Sequence, residues 1–176
     1  MRESKIGFLR TYIPDSFYGK NKMWLDCASG DGVIVARDLL KERGIIPSNY
    51  ICIDRDSEKL ESVKKMGCKA VCIDLETSNI KEHVPMVDII LCLETLEHLE
   101  ALTAERLVKD FISILVKGGM MIITFPINIV LEEKEGKCFN KHQPNIKNFL
   151  KLKEFFSGFI KTSWNKSRVL VFMDKK

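Results

Sequence analysis

The 176-residue sequence lacks an apolar run long enough to cross a membrane. One of its longest apolar stretches, from Val87 to Leu93, contains Asp88 and falls far short of the roughly 20 residues that a spanning helix needs. Residues 1–5 also lack the apolar segment of a signal peptide. We therefore expect a cytoplasmic protein that makes no membrane contact.

Low-complexity segments, internal repeats and Cys-x-x-Cys pairs are also missing. With 45% apolar and 30% charged residues, the composition excludes a disordered chain, and the length fits a single domain over residues 1–176. Four of the six cysteines lie inside apolar segments, namely Cys27, Cys52, Cys72 and Cys92. We expect these to be reduced, buried thiols rather than disulfides or zinc ligands.

Short apolar runs alternate with amphipathic stretches, which is the pattern of βα units around a mostly parallel sheet. Strands are predicted at 23–27, 50–54, 70–73, 87–93 and 120–125, and helices at 33–43, through 60–66 and from 103. The glycines at 118–119 are predicted to turn the chain into the fifth strand. After a short helix at 146–156, two strands at 158–164 and 168–173 are joined by only three residues, which requires an antiparallel hairpin. The prediction is an α/β fold with a seven-stranded mixed sheet and helices on both faces.

Residues 1–22 form an N-terminal segment with a predicted helix at 6–12. Two interpretations remain open for it. The segment either closes as a lid over the ligand crevice or is a partly frayed terminus.

Small residues directly follow the first strand, at Ala28, Gly30 and Gly32, after the strand-end carboxylate of Asp26. They permit a tight bend and a close backbone approach to a ligand, and open α/β sheets bind ligands outside the carboxyl ends of their strands. Val33 stands where a dinucleotide-binding segment has its third small residue, which argues against a pyrophosphate ligand.

Two further carboxylates end the next strands. Asp54 closes the second strand, where a carboxylate can accept both hydroxyls of a ribose, and Asp74 closes the third, near the position of an adenine amino group. A cationic ligand would also be attracted by this acidic edge.

These motifs, in this order, resemble those of the class I S-adenosylmethionine-dependent methyltransferases. The resemblance covers nearly the whole chain, through residues 24–32, 53–54, 74–75, 87–94 and 115–124. It implies a Rossmann-like fold and S-adenosylmethionine (SAM) as cofactor, with Asp26 and Gly30 near the methionine moiety. It also places Asp54 at the ribose, Asp74 and Leu75 beside the adenine, and Leu93 in the methyl-donor pocket. The implied cofactor-binding residues are Asp26, Ala28, Gly30, Gly32, Asp54, Asp74, Leu75 and Leu93. Ala28 departs from the family, which usually has its first glycine there.

A Glu-x-x-Glu-His pattern follows the fourth strand, at Glu94, Glu97 and His98. If the segment begins a helical turn, these side chains share one face and form half of a metal site, with His142 as the candidate fourth ligand. The pattern resembles the O-methyltransferases of ubiquinone biosynthesis and the small-RNA 3′-terminal 2′-O-methyltransferases, and that resemblance implies Mg²⁺ or Mn²⁺. Without metal, Glu97, His98 and His142 remain the catalytic candidates, and either histidine can act as general base.

The charge distribution leaves the methyl acceptor open. Residues 134–176 carry a net charge of +8, against −4 for the residues before them. Basic residues favour an RNA or another phosphate-bearing partner, whereas the short chain favours a small molecule. We expect methylation of a small-molecule hydroxyl, with RNA 2′-O-methylation as the alternative and a noncatalytic SAM-binding subunit as the alternative of another class. No oligomeric state follows from the sequence.

Overall fold

The apolar runs of the sequence become the strands of a mixed sheet. The computed structural model describes residues 5–32, 36–126, 133–134, 137–138, 151–164 and 167–176. The helices are α1 (Lys5–Tyr12), α2 (Ala36–Arg43), α3 (Ser57–Lys65) and α4 (Ala101–Ile114). The strands are β1 (Trp24–Cys27), β2 (Tyr50–Asp54), β3 (Lys69–Cys72), β4 (Val87–Leu93), β5 (Leu115–Pro126), β6 (Glu133–Lys134), β7 (Lys137–Cys138), β8 (Phe156–Trp164) and β9 (Ser167–Lys175). Short 3₁₀ turns lie at Asp15–Tyr18, Pro47–Asn49, Ile80–Glu82, Leu96–His98 and Lys151–Phe155.

The strand order confirms the predicted seven-stranded mixed sheet. The order is β3-β2-β1-β4-β5-β9-β8, and β6 pairs separately with β7. Strands β1 to β5 are parallel to one another, whereas β9 is antiparallel to both β5 and β8, which confirms the C-terminal hairpin. Successive strands are added on one side of β1 as far as β3, and on its other side from β4 onward. The boundary between β1 and β4 is therefore a topological switch point, and open α/β sheets bind ligands at such points.

Side chains that alternate along the strands build a core on each face of the sheet. On one face, α4 buries Leu107 and Phe111 against the sheet. On the other face, Leu9 of α1, Leu39 of α2 and Leu60 of α3 are buried. The helices therefore lie on both faces, as predicted, and both faces of the central strands are covered.

The start of the fifth strand differs from the prediction, which places it at residue 120. β5 begins at Leu115, directly after α4, so the glycines at 118–119 do not turn the chain between separate elements. Val87 pairs with Leu115 but Ile89 pairs with Met120, so the intervening residues of β5 bulge out of register. Gly118 has a φ of +76° and allows this bulge.

The thiol predictions hold at most positions. Cys27, Cys52 and Cys92 are free and buried, as is Cys68, whose pKa burial raises to about 11. Cys72 is exposed, so the prediction of a buried thiol is wrong there. The reason is that β3 is an edge strand of the sheet, and the Cys72 Sγ donates outward to the carbonyl of Arg55 at 3.6 Å.

The N-terminal segment is packed into the core in this structure. Leu9, Ile13, Phe17 and Tyr18 are buried on the face that carries α2 and α3, and Arg10 forms an ion pair with Glu42 of α2. Its closure over the crevice stays a prediction. Within the described ranges, no helix is both long and apolar enough to span a membrane.

Candidate active site

The bend after β1 places three residues in left-handed backbone conformations. Ala28, Gly30 and Gly32 have φ values of +57°, +60° and +65°. The bend is closed by the Ser29 N–H, which donates to the carbonyl of Ile53 at 2.9 Å, and by the Gly32 N–H, which donates to the carbonyl of Ser29 at 3.1 Å. Glycine adopts this conformation freely, whereas Ala28 is strained by its Cβ. The strained residue lies on the wall of the cavity described below.

Asp54 joins this bend to the start of α3. Its Oδ2 accepts a hydrogen bond from the Gly30 N–H at 2.8 Å, and its Oδ1 accepts one from the Asp56 N–H at 3.0 Å. Asp56 in turn caps α3 by accepting from the N–H groups of Glu58 and Lys59. Because each carboxylate oxygen can accept a second bond, Asp54 is held in place and still able to accept ligand hydroxyls.

Asp74 shapes the turn after β3 in a similar way. Its Oδ1 accepts from the Glu76 N–H at 2.9 Å, and its carbonyl accepts from the N–H groups of Thr77 and Ser78 at 3.2 and 2.9 Å. The turn presents the carboxylate and the buried side chain of Leu75 to the same cavity.

The end of β4 carries a second strained residue. Glu94 has a φ of +53°, and its N–H donates to both the carbonyl and the Oγ1 of Thr124 at 3.0 Å. Its Oε1 is buried and has no hydrogen-bond partner in the described part of the chain. A strained backbone and an unpaired buried oxygen are each costly, and strained residues cluster at active sites and ligand-binding positions.

The Leu96–His98 turn gives the side chains of Glu97 and His98 different exposures to solvent. The His98 side chain is 58% exposed, whereas that of Glu97 is 2% exposed, and His98 Nε2 lies 3.8 Å from Glu97 Oε1. The helical turn on which a shared face of Glu94, Glu97 and His98 depends does not include Glu94, because the left-handed backbone at that residue ends β4 before the 3₁₀ turn begins at Leu96. Among the described residues, no group of three or more His, Cys, Asp or Glu side chains is arranged to hold a metal ion. The described residues therefore give no support to the predicted Mg²⁺ or Mn²⁺ site, and His142, its fourth candidate ligand, lies outside them.

A cavity of about 540 Å³ opens at the carboxyl ends of β1 to β4. Its size is in the range of small-molecule and cofactor sites. It is lined by Ala28, Gly30, Asp54, Arg55, Lys59, Ile73, Asp74, Leu75, Glu76, Glu94, Thr95, His98 and Leu99. Four of these side chains are carboxylates and two are cations, so the wall is acidic and favours a cationic ligand.

Most of the residues that the sequence indicates for cofactor binding meet at this cavity. Those on its wall are Ala28, Gly30, Asp54, Asp74 and Leu75, joined by His98 and Glu94. Asp26, Gly32, Leu93 and Glu97 lie outside the wall.

Asp26 and Gly32 have other surroundings for clear reasons. Asp26 points to the opposite face from Cys27 and accepts a hydrogen bond from the buried Tyr50 hydroxyl at 3.1 Å. Burial and the nearby Asp26 carboxylate raise the pKa of Tyr50 well above its ordinary value. Gly32 backs onto α3, where an added Cβ would lie 2.8 Å from Val63 Cγ2, so its small size serves helix packing.

Several wall residues were not identified from the sequence. These are Arg55, Lys59, Ile73, Glu76, Thr95 and Leu99. Each lies within a few residues of a strand-end carboxylate, so the positions flanking Asp54, Asp74 and Glu94 were the available signal. The cations beside Asp54 are exposed, which leaves them able to contact the outer edge of a bound ligand.

A seven-stranded mixed sheet with a C-terminal antiparallel hairpin and a ligand-sized cavity at its switch point is the class I methyltransferase fold. The tight bend after β1 and the carboxylates that follow β2 and β3 lie at this cavity. The model of the methyltransferase domain family matches residues 25–123, which is more than half of the chain. The chain therefore belongs to the methyltransferase domain family.

Solved structures share this fold at low sequence identity. An O-methyltransferase family protein from Burkholderia thailandensis superposes with a TM-score of 0.67 at 12% identity, covering 90% of this chain and 52% of its own. Magnesium protoporphyrin IX methyltransferase from Synechocystis, solved with S-adenosylhomocysteine (SAH) bound, superposes with a TM-score of 0.68 at 16% identity. The match covers 97% of this chain and 80% of the Synechocystis chain. The PH0226 protein from Pyrococcus horikoshii superposes with a TM-score of 0.68 at 18% identity, and the match covers 98% of this chain and 89% of the Pyrococcus chain.

This chain spans about half the length of the Burkholderia protein and of some other structures that it resembles. No curated protein sequence matches it significantly.

Proposed function

We propose that this domain is a SAM-dependent methyltransferase that methylates a hydroxyl group of a small molecule. The observation that carries the proposal is the convergence of Asp54, Asp74, the bend at Ala28 and Gly30, and the exposed imidazole of His98 on one acidic cavity. The family membership and the fold support the donor, and the cavity wall supports the acceptor side.

The residues of the cavity fit SAM as a cofactor. Asp54 offers oxygens for the two ribose hydroxyls, Asp74 offers an acceptor for the adenine amino group, and Ile73 and Leu75 offer apolar surface for the base. The acidic wall suits the positive charge of the sulfonium and ammonium groups. When bound, SAM supplies a methyl group that is already activated by the positive sulfur.

The protein's own part in the reaction is then to orient the acceptor and to remove its proton. His98 faces the cavity and takes up the proton that the hydroxyl loses as its oxygen attacks the methyl group. The buried Glu97 carboxylate, 3.8 Å from His98 Nε2, stabilises the imidazolium that forms. Leu99 adds apolar wall beside His98, which helps to exclude water.

Glu94 offers the acceptor a further contact. Its Oε1 is buried without a protein partner in the described chain, so a hydroxyl or ammonium group of a ligand would satisfy it. The proposal routes no step through a metal ion, because no group of three or more His, Cys, Asp or Glu side chains among the described residues is arranged to hold one. His142 stays a candidate second base.

A small-molecule acceptor is preferred over RNA because part of the basic C-terminal region has a structural use. Lys175 Nζ donates to the carbonyls of Ile112 and Leu115 at 2.6 and 2.5 Å, at the end of α4, and Lys176 Nζ donates to the carbonyl of Glu154 at 3.2 Å. Lysines that cap backbone carbonyls are less available for phosphates.

Binding of SAH tests the donor half of the proposal. A ligand at about 100 times its Kd stabilises the native state by about 2.7 kcal/mol, so the Tm of the wild type should rise clearly. Asp54→Asn removes a charged acceptor and should weaken SAH binding by about tenfold or more. Asp56→Asn is the matched control, since it removes the same charge two residues away, off the cavity wall, and keeps a helix-capping side chain. An unmoved Tm of the wild type at saturating SAH contradicts the proposal.

Transfer of a labelled methyl group tests the acceptor half. Catechol and a short RNA with a free 3′-terminal ribose are offered at several salt concentrations. Labelled catechol supports a small-molecule acceptor, and labelled RNA with salt-dependent binding supports the alternative. SAH binding with no transfer to either acceptor favours a noncatalytic partner subunit.

A further inference from the structure

The loop after β3 is tied to α4 by bonds that the proposed mechanism does not use. Arg106 Nη2 donates to the carbonyl of Leu75 at 2.5 Å and to that of Glu76 at 3.3 Å. At the start of the same helix, the Glu100 N–H donates to Glu76 Oε1 at 3.4 Å. Two positions of α4 therefore hold one short loop.

This loop controls the direction of the Asp74 carboxylate. Asp74 Oδ1 accepts from the Glu76 N–H, which belongs to the same peptide group as the Leu75 carbonyl. Arg106 donates to that carbonyl and to the carbonyl of Glu76. Asp74, Leu75 and Glu76 all line the cavity, whereas Arg106 does not. Arg106 can thus affect a ligand only through the loop that it holds.

Stability alone does not account for an arginine at this position. The Arg106 Nε is buried and has no hydrogen-bond partner among the described residues. A buried donor without a partner is destabilising, and an apolar side chain would avoid that cost. What an apolar side chain could not supply is a planar guanidinium whose Nη2 donates to two successive carbonyls.

The same bonds connect the two ends of the cavity. His98 and Leu99 immediately precede α4, and Glu100 is its N-cap residue. Glu100 and Arg106 both bind the loop at residues 74–76. This loop and the Leu96–His98 turn are therefore both fixed to α4. A shift of α4 would therefore move both.

We propose that Arg106 is a positioning residue that fixes the loop at residues 74–76 so that Asp74 can recognise the adenine amino group of the cofactor. This inference rests on the proposed function, since it concerns the same SAM site. It adds that the choice of base is set from α4, by a residue that touches no ligand.

The test compares two nucleosides that differ at the base. Titration calorimetry measures the Kd of SAH and of S-inosylhomocysteine, in which a carbonyl oxygen replaces the adenine amino group. The wild type should prefer SAH, and Arg106→Gln should reduce that preference by about tenfold, which corresponds to the loss of one well-placed hydrogen bond. Arg106→Lys keeps the charge but replaces the planar guanidinium with a flexible ammonium group, so its preference for SAH should lie between those of the wild type and Arg106→Gln.

Lys109→Gln is the matched control. Lys109 lies on α4, is exposed and is off the cavity wall, so this variant loses the same charge and should keep the wild-type preference.

The possible results separate the inference from the proposed function. A lower Tm of Arg106→Gln with an unchanged preference between the nucleosides assigns Arg106 a purely structural role and overturns the inference. If Arg106→Gln does not fold, an unchanged preference in Arg106→Lys overturns it equally. A wild type that binds both nucleosides with equal affinity also overturns it, while SAM binding stands. A wild type that binds neither contradicts the proposed function itself.

Discussion

The left-handed residues after β1 allow a quantitative prediction from one loop. Ala28, Gly30 and Gly32 have nearly the same φ, between +57° and +65°, but only Ala28 carries a Cβ. Ala28→Gly should therefore relieve strain, whereas Gly30→Ala and Gly32→Ala should introduce it. The surroundings of the three residues also differ, and these differences set the order of stability among the variants.

The magnitudes follow from two opposing terms. An L-residue in the left-handed conformation costs about 1–2 kcal/mol, and glycine in place of alanine costs about 0.4–1 kcal/mol through the entropy of the unfolded chain. Ala28→Gly should thus raise the free energy of unfolding by about 0.5–1 kcal/mol, and Gly30→Ala should lower it by about the same amount. An added Cβ at Gly30 meets nothing within 4 Å, so no steric cost is added there.

Gly32 should be far less tolerant. Its added Cβ would lie 2.8 Å from Val63 Cγ2 and 3.3 Å from Met66 Cε, on the helix that packs behind the bend. Overpacking of this kind costs about 1–3 kcal/mol in addition to the backbone strain. Gly32→Ala should therefore be the most destabilised of the three.

Urea unfolding measures the free energy of unfolding of each variant. A shift of the denaturation midpoint with an unchanged m-value reports a change in stability. Ala70→Gly in the extended strand β3 is the control, because glycine there relieves no left-handed strain and should lower stability by about 0.5–1 kcal/mol. Loss of stability in Ala28→Gly equal to that of Ala70→Gly would refute the strained conformation at Ala28. Equal effects of Gly30→Ala and Gly32→Ala would refute the packing of Gly32 against α3.

Three further predictions concern neighbouring groups. Tyr50→Phe removes a donor from the buried Asp26 carboxylate and should lower the free energy of unfolding by about 1–3 kcal/mol, measured in urea. Hydrogen bonds from the Lys59 and Glu58 N–H groups lower the pKa of Asp56, so its stabilising effect is present above pH 3.8 and is lost as pH falls through the lowered folded value. Asp56→Ala should accordingly be less stable than the wild type at pH 7, and the difference should shrink in strong acid, where the protonated side chain remains only as a neutral cap. His98→Gln should reduce methyl transfer by about 100-fold or more while leaving the Kd of SAH unchanged, and a loss of SAH binding instead would place His98 at the donor.

Strand ends were predictable from the sequence because apolar runs stop where the sheet ends. The runs at 50–53 and 70–73 stop at Asp54 and Asp74, and both carboxylates line the cavity as the pattern indicates. Asp26 has the same residue type but lies inside β1, one residue before the strand ends at Cys27. In a strand, a shift of one residue moves a side chain to the other face. That small difference in the strand boundary places Asp26 against Tyr50.

The acidic and histidine cluster could not be predicted from spacing alone. Residues at i, i+3 and i+4 share a face only if the backbone is helical throughout. Glu94 instead adopts a φ of +53°, held by the two bonds from its N–H to Thr124, a residue 30 positions away in β5. A tertiary contact therefore decides the geometry of the pattern. Small residues raise the same difficulty, since Gly30 binds Asp54 and Gly32 packs on Val63, and the sequence does not distinguish the two uses.

Asp54 holds two parts of the candidate site in place. Its two oxygens receive the Gly30 and Asp56 N–H groups, so one side chain fixes both the bend after β1 and the start of α3. A carboxylate held in this way loses little side-chain entropy when a ribose binds, and preorganisation of this kind increases affinity. The same arrangement means that Asp54→Asn removes more than a ligand contact, because an amide has one acceptor oxygen and must turn its nitrogen toward one of the two N–H groups. The bend should therefore loosen together with ligand binding in that variant, and hydrogen exchange of the Gly30 amide should rise in the absence of SAH. Protection at Gly30 that is equal in Asp54→Asn and the wild type would show that the bend is held by other bonds.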